Sequence, residues 1–279
     1  MCCNFSLDKA HSGPIWSLKF MDEHLVTSSS DATIKLWHCG AQDEDETDWL
    51  HAPMQCQRVL RGHRSGEVWS CDITSDSIFS GGRDGEGKVW DRETGANYLN
   101  LQVHKSSVFQ IQAGVGPAGE HSVLTCGGDG AAIFWDMRTG KACLTLSGDG
   151  ENPVFNADVI EDHMVVIAGG DALAARYDLR SGRKVHTFSG HTDSIWDLDF
   201  NSLSNRLVTV STDCSVRVWD NLTGENTATL NCHLEPVGAV ACDAGRIVTG
   251  DSGGWLFIWD FNNEGTTCEY AQLMSHIGP

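Results

Sequence analysis

The sequence predicts an all-β fold built from six copies of one unit, and three observations carry that reading. The segments TIKLWH, GKVWD, AIFWD, AARYD, VRVWD and LFIWD end in an aromatic residue at Trp37, Trp90, Trp135, Tyr177, Trp219 and Trp259. Successive aromatics lie 53, 45, 42, 42 and 40 residues apart, and a near-constant period marks an array of supersecondary units. Each unit also holds short β-branched or aromatic runs, such as SIWDLDF, RLVTVS and SVRVWD, split by the turn-forming stretches DRETG, DMRTG, DLRSG and DNLTG. Runs of this length between Gly, Asp and Asn are strand signals. Finally, no amphipathic helical stretch of useful length competes with them.

Four short strands make a small sheet with two faces to cover, and one such sheet cannot bury enough surface alone. Neighbouring sheets can cover one another, so the period predicts a β-propeller of four-stranded antiparallel blades. The chain then reads as a single propeller domain over residues 1–279, since only 6 prolines and no Ser/Gly-rich linker interrupt it. The 53-residue interval does not hide a seventh unit. It carries an insertion, residues 39–55, with the acidic run Asp43, Glu44, Asp45, Glu46 and Asp48. The alternative is an incomplete or truncated seven-bladed ring. The terminal LMSHIGP repeats the His-x-Gly-Pro form of DKAHSGP in the first unit, so the sequence stops where another repeat would begin. Residues 3–9 and residues 267–274 are both candidates for the outer strand of the last blade.

Upstream of each terminal aromatic stands an aligned Gly-His or its remnant: Ala10-His11, Gly62-His63, Val103-His104, Gly148-Asp149, Gly190-His191 and Cys232-His233. Six residues before the aromatic lies Asp31, Asp84, Asp129, Asp171 or Asp213, but Gly253 in the sixth copy. This combination of His, Asp and Trp-Asp resembles the WD-repeat family over nearly the whole chain. Propellers of that family most often have seven blades. The resemblance implies a hydrogen-bond network within each blade, joining His63, Asp84 and Trp90 in the second and His191, Asp213 and Trp219 in the fifth, with a neighbouring Ser or Thr. A His–Asp pair can also be a catalytic or metal site. Repetition favours the structural role, because a catalytic constellation is needed once and a staple in every blade. On this reading the fourth copy, with Asp149 and Tyr177, and the sixth, with Gly253, are less well stapled.

The second position of each opening strand reads Trp16, Trp69, Phe109, Phe155 and Trp196, with Gly238 in the sixth copy. By resemblance this position surrounds the entrance of the central channel. Large aromatics with few rotors suit a hot-spot surface for an apolar or proline-containing peptide, or for a lysine held over ring faces. They also suit plain packing between blades. Arg83 is the only basic residue immediately before a turn Asp, and one arginine does not make a phosphate pocket.

The formal net charge of −19 opposes direct binding to nucleic acid, which needs cations against phosphates. It favours protein partners with basic segments. The opening MCCNFSLDKAHSG lacks the basic and apolar regions of a signal peptide, and no stretch reaches the roughly 20 apolar residues of a membrane span. The 11 cysteines include no CxxC, so the reading is an intracellular protein, cytoplasmic or nuclear, with reduced thiols. No metal ligand set, cofactor motif, GxSxG, HExxH or phosphate loop is present, and His24, His51, His121 and His163 lack ligand spacing.

Function therefore reads as a non-catalytic scaffold or adaptor for protein partners. An alternative is a substrate-recognition module like the propellers associated with F-box ubiquitin ligases, whose repeat style HLVTSSSDATIKLW resembles, although no F-box precedes Cys2-Cys3. A propeller enzyme is the remaining alternative.

Overall fold

The structure is a computed structural model that describes residues 9–39, 54–64, 66–102, 104–147, 152–161, 163–261 and 267–272. Apart from a 3₁₀ turn at Gly119–His121, its regular elements are strands, arranged as six consecutive four-stranded antiparallel sheets. This is the blade architecture of a β-propeller.

The first blade takes β1 (Ile15–Met21), β2 (His24–Ser29), β3 (Thr33–His38) and β4 (Gln55–Arg61). The second takes β5 (Val68–Ile73), β6 (Ser77–Gly82), β7 (Gly87–Asp91) and β8 (Asn97–Leu101). The third takes β9 (Val108–Ala113), β10 (Ser122–Gly127), β11 (Ala131–Asp136) and β12 (Lys141–Ser147). The fourth takes β13 (Val154–Glu161), β14 (Met164–Gly169), β15 (Leu173–Asp178) and β16 (Arg183–Ser189). The fifth takes β17 (Ile195–Asn201), β18 (Arg206–Ser211), β19 (Val216–Asp220) and β20 (Asn226–Leu230). The sixth takes β21 (Val237–Cys242), β22 (Arg246–Asp251), β23 (Trp255–Asp260) and β24 (Thr267–Gln272). Because β24 pairs directly with β23, residues 267–272 supply the outer strand of the sixth blade. Residues 1–8, 40–53 and 273–279, and with them the acidic run, lie outside the described residues.

Two turns repeat because the same chemistry repeats. Between the second and third strands of each blade one residue takes a left-handed conformation: Ala32, Gly85, Gly130, Ala172, Cys214 or Gly254, with φ between 60° and 81°. Between the third and fourth strands of blades two to five, the glycine of each Thr-Gly or Ser-Gly pair is also left-handed. There the N–H of Gly95, Gly140, Gly182 and Gly224 donates to the carbonyl of Asp91, Asp136, Asp178 and Asp220, each at 2.8 Å. Those turns need a residue without a Cβ penalty, which is why the sequence ends them in glycine.

The chain forms two compact units, residues 1–129 with 133–143 and residues 130–132 with 144–279. In the first, β5 stacks on β1 and β2, and β9 stacks on β5 and β6. In the second, β17 stacks on β13 and β14, and β21 on β17 and β18. Each stacking buries apolar side chains of an opening strand on the second and third strands of the blade before. Val68, Cys71 and Ile73 join Val26, Ile34 and Leu36, and Ile195 and Leu198 join Val166, Ala168 and Ala174. Opening strands are sheet edges, and side chains of the preceding blade cap their outward N–H groups. Ser70 and Asp72 accept from the N–H of Ile111 and Ala113 at 3.1 and 2.8 Å. Asp197 and Asp199 accept from those of Val240 and Cys242 at 2.9 and 2.6 Å. Satisfying an edge in this way removes a template for stray strand pairing.

Candidate protein-interaction surface

The six terminal aromatics are 2–5% exposed, so the opposite ends of the blades' networks are set from the core outward. In the second blade the Trp90 indole donates to Ser80 Oγ at 2.9 Å, Ser80 meets His63 Nε2 at 2.8 Å, and His63 Nδ1 meets Asp84 at 2.9 Å. In the fifth the Trp219 indole donates to Thr209 Oγ1 at 2.9 Å. Thr209 meets His191 Nε2 at 2.8 Å, and His191 Nδ1 meets Asp213 at 2.9 Å. The first blade repeats the chain through Trp37, Thr27, His11 and Asp31. The third does so through Trp135, Thr125, His104 and Asp129. The hydroxyl residue stands ten positions before the aromatic each time, a spacing the motif reading left unassigned.

The sixth blade corrects the expectation drawn from Gly253. Its network is complete: the Trp259 indole donates to Thr249 at 3.0 Å, Thr249 meets His233 at 2.8 Å, and His233 meets Asp251 at 2.8 Å. The carboxylate has moved two residues back, from the turn to the end of β22. From there Asp251 still accepts the turn N–H groups of Gly253 and Trp255. The fourth blade does lack the network. Ile167 occupies the hydroxyl position, and the Tyr177 hydroxyl turns away to the carbonyl of Ser147 at 3.1 Å. A cavity of about 30 Å³, bordered by Ile167, Asp171 and Tyr177, lies there. Asp149 lies outside the described residues.

Proton direction along the network is fixed. An ionised carboxylate only accepts, so His Nδ1 carries the proton and Nε2 accepts from the hydroxyl, which itself accepts from the indole. The electrostatics agree. Burial would raise Asp84, but hydrogen bonds from His63 and from the N–H groups of Arg64 and Glu86 outweigh it and hold the carboxyl down to about 2. Burial would likewise raise Asp213, and Ser215, Thr192 and His191 hold it down to about 2. Burial lowers His191 below its ordinary value and outweighs the pull of Asp213. In the fifth blade the network is thus an anionic carboxylate beside a neutral imidazole, with the ring sealed from solvent.

The predicted aromatics are brought together within each unit. In the first, Trp16 and Trp69 lie with ring centroids 4.7 Å apart, and Trp69 and Phe109 lie 6.2 Å apart. In the second, Phe155 stacks on Trp196 at 4.3 Å with planes inclined by 19°. Trp16 is 47% and Trp196 43% exposed, while Trp69, Phe109 and Phe155 are half-buried. Trp196 is anchored by its indole N–H, which donates to Thr212 Oγ1 at 2.8 Å. At the sixth position Gly238 is exposed, and nothing lies within 4 Å of where a Cβ would sit. Arg83 pairs with Glu67 at 3.0 Å, so its charge is locally balanced. Among the described residues no group of three or more His, Cys, Asp or Glu side chains converges as a metal site, and no helix is long and apolar enough to cross a membrane.

Repeated blades, each with this His–Asp–Ser/Thr–Trp network, are the mark of WD-repeat proteins, and sequence comparison supports that class. Residues 1–38, 54–91 and 182–220 match the family model described as WD domain, G-beta repeat. The chain is 29% identical over 246 residues to the DENN domain and WD repeat-containing protein SCD1 of Arabidopsis thaliana, covering 87% of this chain and 19% of that protein. It is 26% identical to human Striatin-4, covering 88% and 34%. It is 25% identical to a guanine nucleotide-binding protein subunit beta of Oryza sativa subsp. indica, covering 93% and 58%. The chain therefore spans less than two thirds of the length of each of these relatives. This likeness supports a protein-interaction role.

Proposed function

We propose that the chain is a non-catalytic scaffold that captures protein partners on the aromatic edges formed by Trp16, Trp69 and Phe109 and by Phe155 and Trp196. The observation that carries this reading is the partial exposure of tryptophans packed against a neighbouring aromatic ring, Trp16 against Trp69 and Trp196 against Phe155. A ring held by its neighbour, or by a hydrogen bond such as Trp196 to Thr212, loses little freedom on binding, which is the property of a hot spot. The matching chemistry is an apolar or proline-containing segment, or a lysine over a ring face. The net charge of −19 favours basic segments and disfavours nucleic acid. The same reading puts the protein in the cytosol or nucleus, where the exposed thiols of Cys56, Cys143 and Cys232 stay reduced.

Affinity capture with the wild type and with Trp69→Ala/Trp196→Ala tests the proposal. The two proteins should show the same far-UV circular dichroism. The partners held by the wild type should be lost from the double variant. Full retention would remove the aromatic edges from the binding surface.

A further inference from the structure

The first two blades treat three equivalent positions in opposite ways. Lys35 of β3 stands two residues before Trp37, as Lys88 of β7 stands two before Trp90. Thr33 corresponds to Glu86, four residues before the aromatic. Arg61, which pairs with Thr33 across β3 and β4, corresponds to Gln102. The second blade neutralises itself: Glu86 takes the Lys88 ammonium at 2.5 Å and the Gln102 amide at 2.8 Å. In the first blade threonine replaces that glutamate and arginine the glutamine, so two cations stand where the second blade closes an ion pair. The fourth blade holds Leu173, Ala175 and Ser189 at the same positions, and the sixth holds Trp255, Phe257 and Gln272.

An open cleft of about 490 Å³ lies there, bordered by Lys9, Ser12, Asp31, Lys35 and Arg61 together with His11 and Thr33. All of these belong to the first blade, so the cleft is formed by that blade's own strands and turns. Lys35 donates to the carbonyl of Ala10 at 2.5 Å. Among the described residues, neither it nor Lys9 nor Arg61 pairs with a carboxylate. Asp31 is the one carboxylate among the lining residues, and it is already engaged. It accepts the N–H groups of Ser12 and Thr33, the Thr33 hydroxyl and His11 at 2.6–3.0 Å. Burial lowers His11 and outweighs the pull of Asp31, so that imidazole adds no charge. Three cations against one carboxylate leave a net charge of +2 at the cleft, in a chain whose total is −19.

We propose that this cleft receives a phosphate monoester, the phosphoserine or phosphothreonine of a partner protein. Such a group carries about −1.5 to −2 charges and three acceptor oxygens, which matches the net +2 of the lining residues. The Arg61 guanidinium offers a planar fork to two of those oxygens, and Lys35 offers a point charge. The Ser12 hydroxyl holds Asp31 at a long 3.4 Å and can turn to the third. A carboxylate, with one negative charge, would leave a cation unanswered. The chain's overall −19 repels nucleic acid and anionic lipid surfaces, so the phosphate arrives on a protein. That choice of carrier rests on the scaffold reading.

Heteronuclear NMR titration of the isotope-labelled chain with acetyl-phosphoserine amide tests this. The Ser12 and Thr33 amide signals should shift and saturate, and inorganic phosphate should compete at the same signals. Acetyl-serine amide should move neither. Arg61→Gln installs the second blade's residue and should weaken binding about tenfold or more, the scale of a lost charge-assisted bond. Arg58→Gln makes the same charge change on the same strand, but the Arg58 side chain packs on the Gly95 turn, so this variant should bind like the wild type. Arg61 is exposed and Arg58 half-buried, and unchanged thermal melts would show that both variants fold. No shift at Ser12 and Thr33, equal shifts from acetyl-glutamate amide, or an Arg61→Gln protein no weaker than Arg58→Gln would each overturn the proposal. So would Arg61-dependent sedimentation with phosphoinositide vesicles by a protein that ignores acetyl-phosphoserine amide. The Trp69→Ala/Trp196→Ala protein should bind the phosphoserine probe like the wild type, so loss of partner capture and loss of phosphate binding are separate failures.

Discussion

Replacing Thr209 by valine isolates what one network contributes. Thr209 is fully buried, and its Oγ1 accepts from the Trp219 indole at 2.9 Å and bonds His191 Nε2 at 2.8 Å. Valine keeps the branched shape and removes both bonds, so a buried indole N–H and a buried imidazole nitrogen lose their partner together. Each orphaned group costs about 1–3 kcal/mol, so the variant should lose between about 2 and 6 kcal/mol of stability. Urea denaturation followed by tryptophan fluorescence and by far-UV circular dichroism reads this as a lower midpoint. Using both probes checks that the transition is two-state in a chain with two compact units. The double variant Thr209→Val/Trp219→Phe removes the orphaned N–H as well, so it should cost less than the sum of the single changes, the mark of coupled neighbours. A Thr209→Val protein within about 0.5 kcal/mol of the wild type, the range of an inconsequential surface change, would refute the staple reasoning.

Three further outcomes follow from the same geometry. Asp251→Asn should destabilise the sixth blade about as much as Asp213→Asn does the fifth, while Gly253→Ala leaves the network intact; equal melts for wild type and Asp251→Asn would return the sixth blade to the unstapled class. Acid should destabilise in two stages, because the unfolded chain binds more protons at both sites. His191, lowered by burial, gives stability that declines as pH falls below its unfolded value of about 6.5. Asp84 and Asp213, held at about 2, give stability lost as pH falls from about 4 toward 2; a urea midpoint constant from pH 7 to pH 3 would contradict this. Burial pushes the Cys71 thiol up to about 11 and raises Cys126 as well. Native alkylation should therefore label Cys56, Cys143 and Cys232 and spare Cys71 and Cys126, as read by mass spectrometry.

The fold was legible because the period is dense. Six aromatics at near-constant spacing marked the third strand of each of the six described sheets, and the Gly-ending turns marked the next boundary in blades two to five. The networks of His63 and His191 were legible for the same reason. The sixth was misread because the motif was counted at a fixed offset of six. Asp251 sits eight residues before Trp259, and only the fold shows that a carboxylate at a strand end reaches the same imidazole as one in the turn. Counting ten residues back from each aromatic would have found every hydroxyl partner, and would have exposed Ile167 as the break in the fourth blade.

If fixed, partly exposed tryptophans form the binding surface proposed above, Trp196 should carry a large share of the affinity. A captured partner should be titrated by calorimetry against the wild type, Trp196→Phe and Trp196→Ala. Phenylalanine keeps an aromatic surface over Phe155 and loses only the bond to Thr212, so affinity should fall a few-fold. Alanine removes the ring and should cost about thirtyfold or more, the roughly 2 kcal/mol of a hot spot. An alanine variant that binds as tightly as the wild type would contradict the claim.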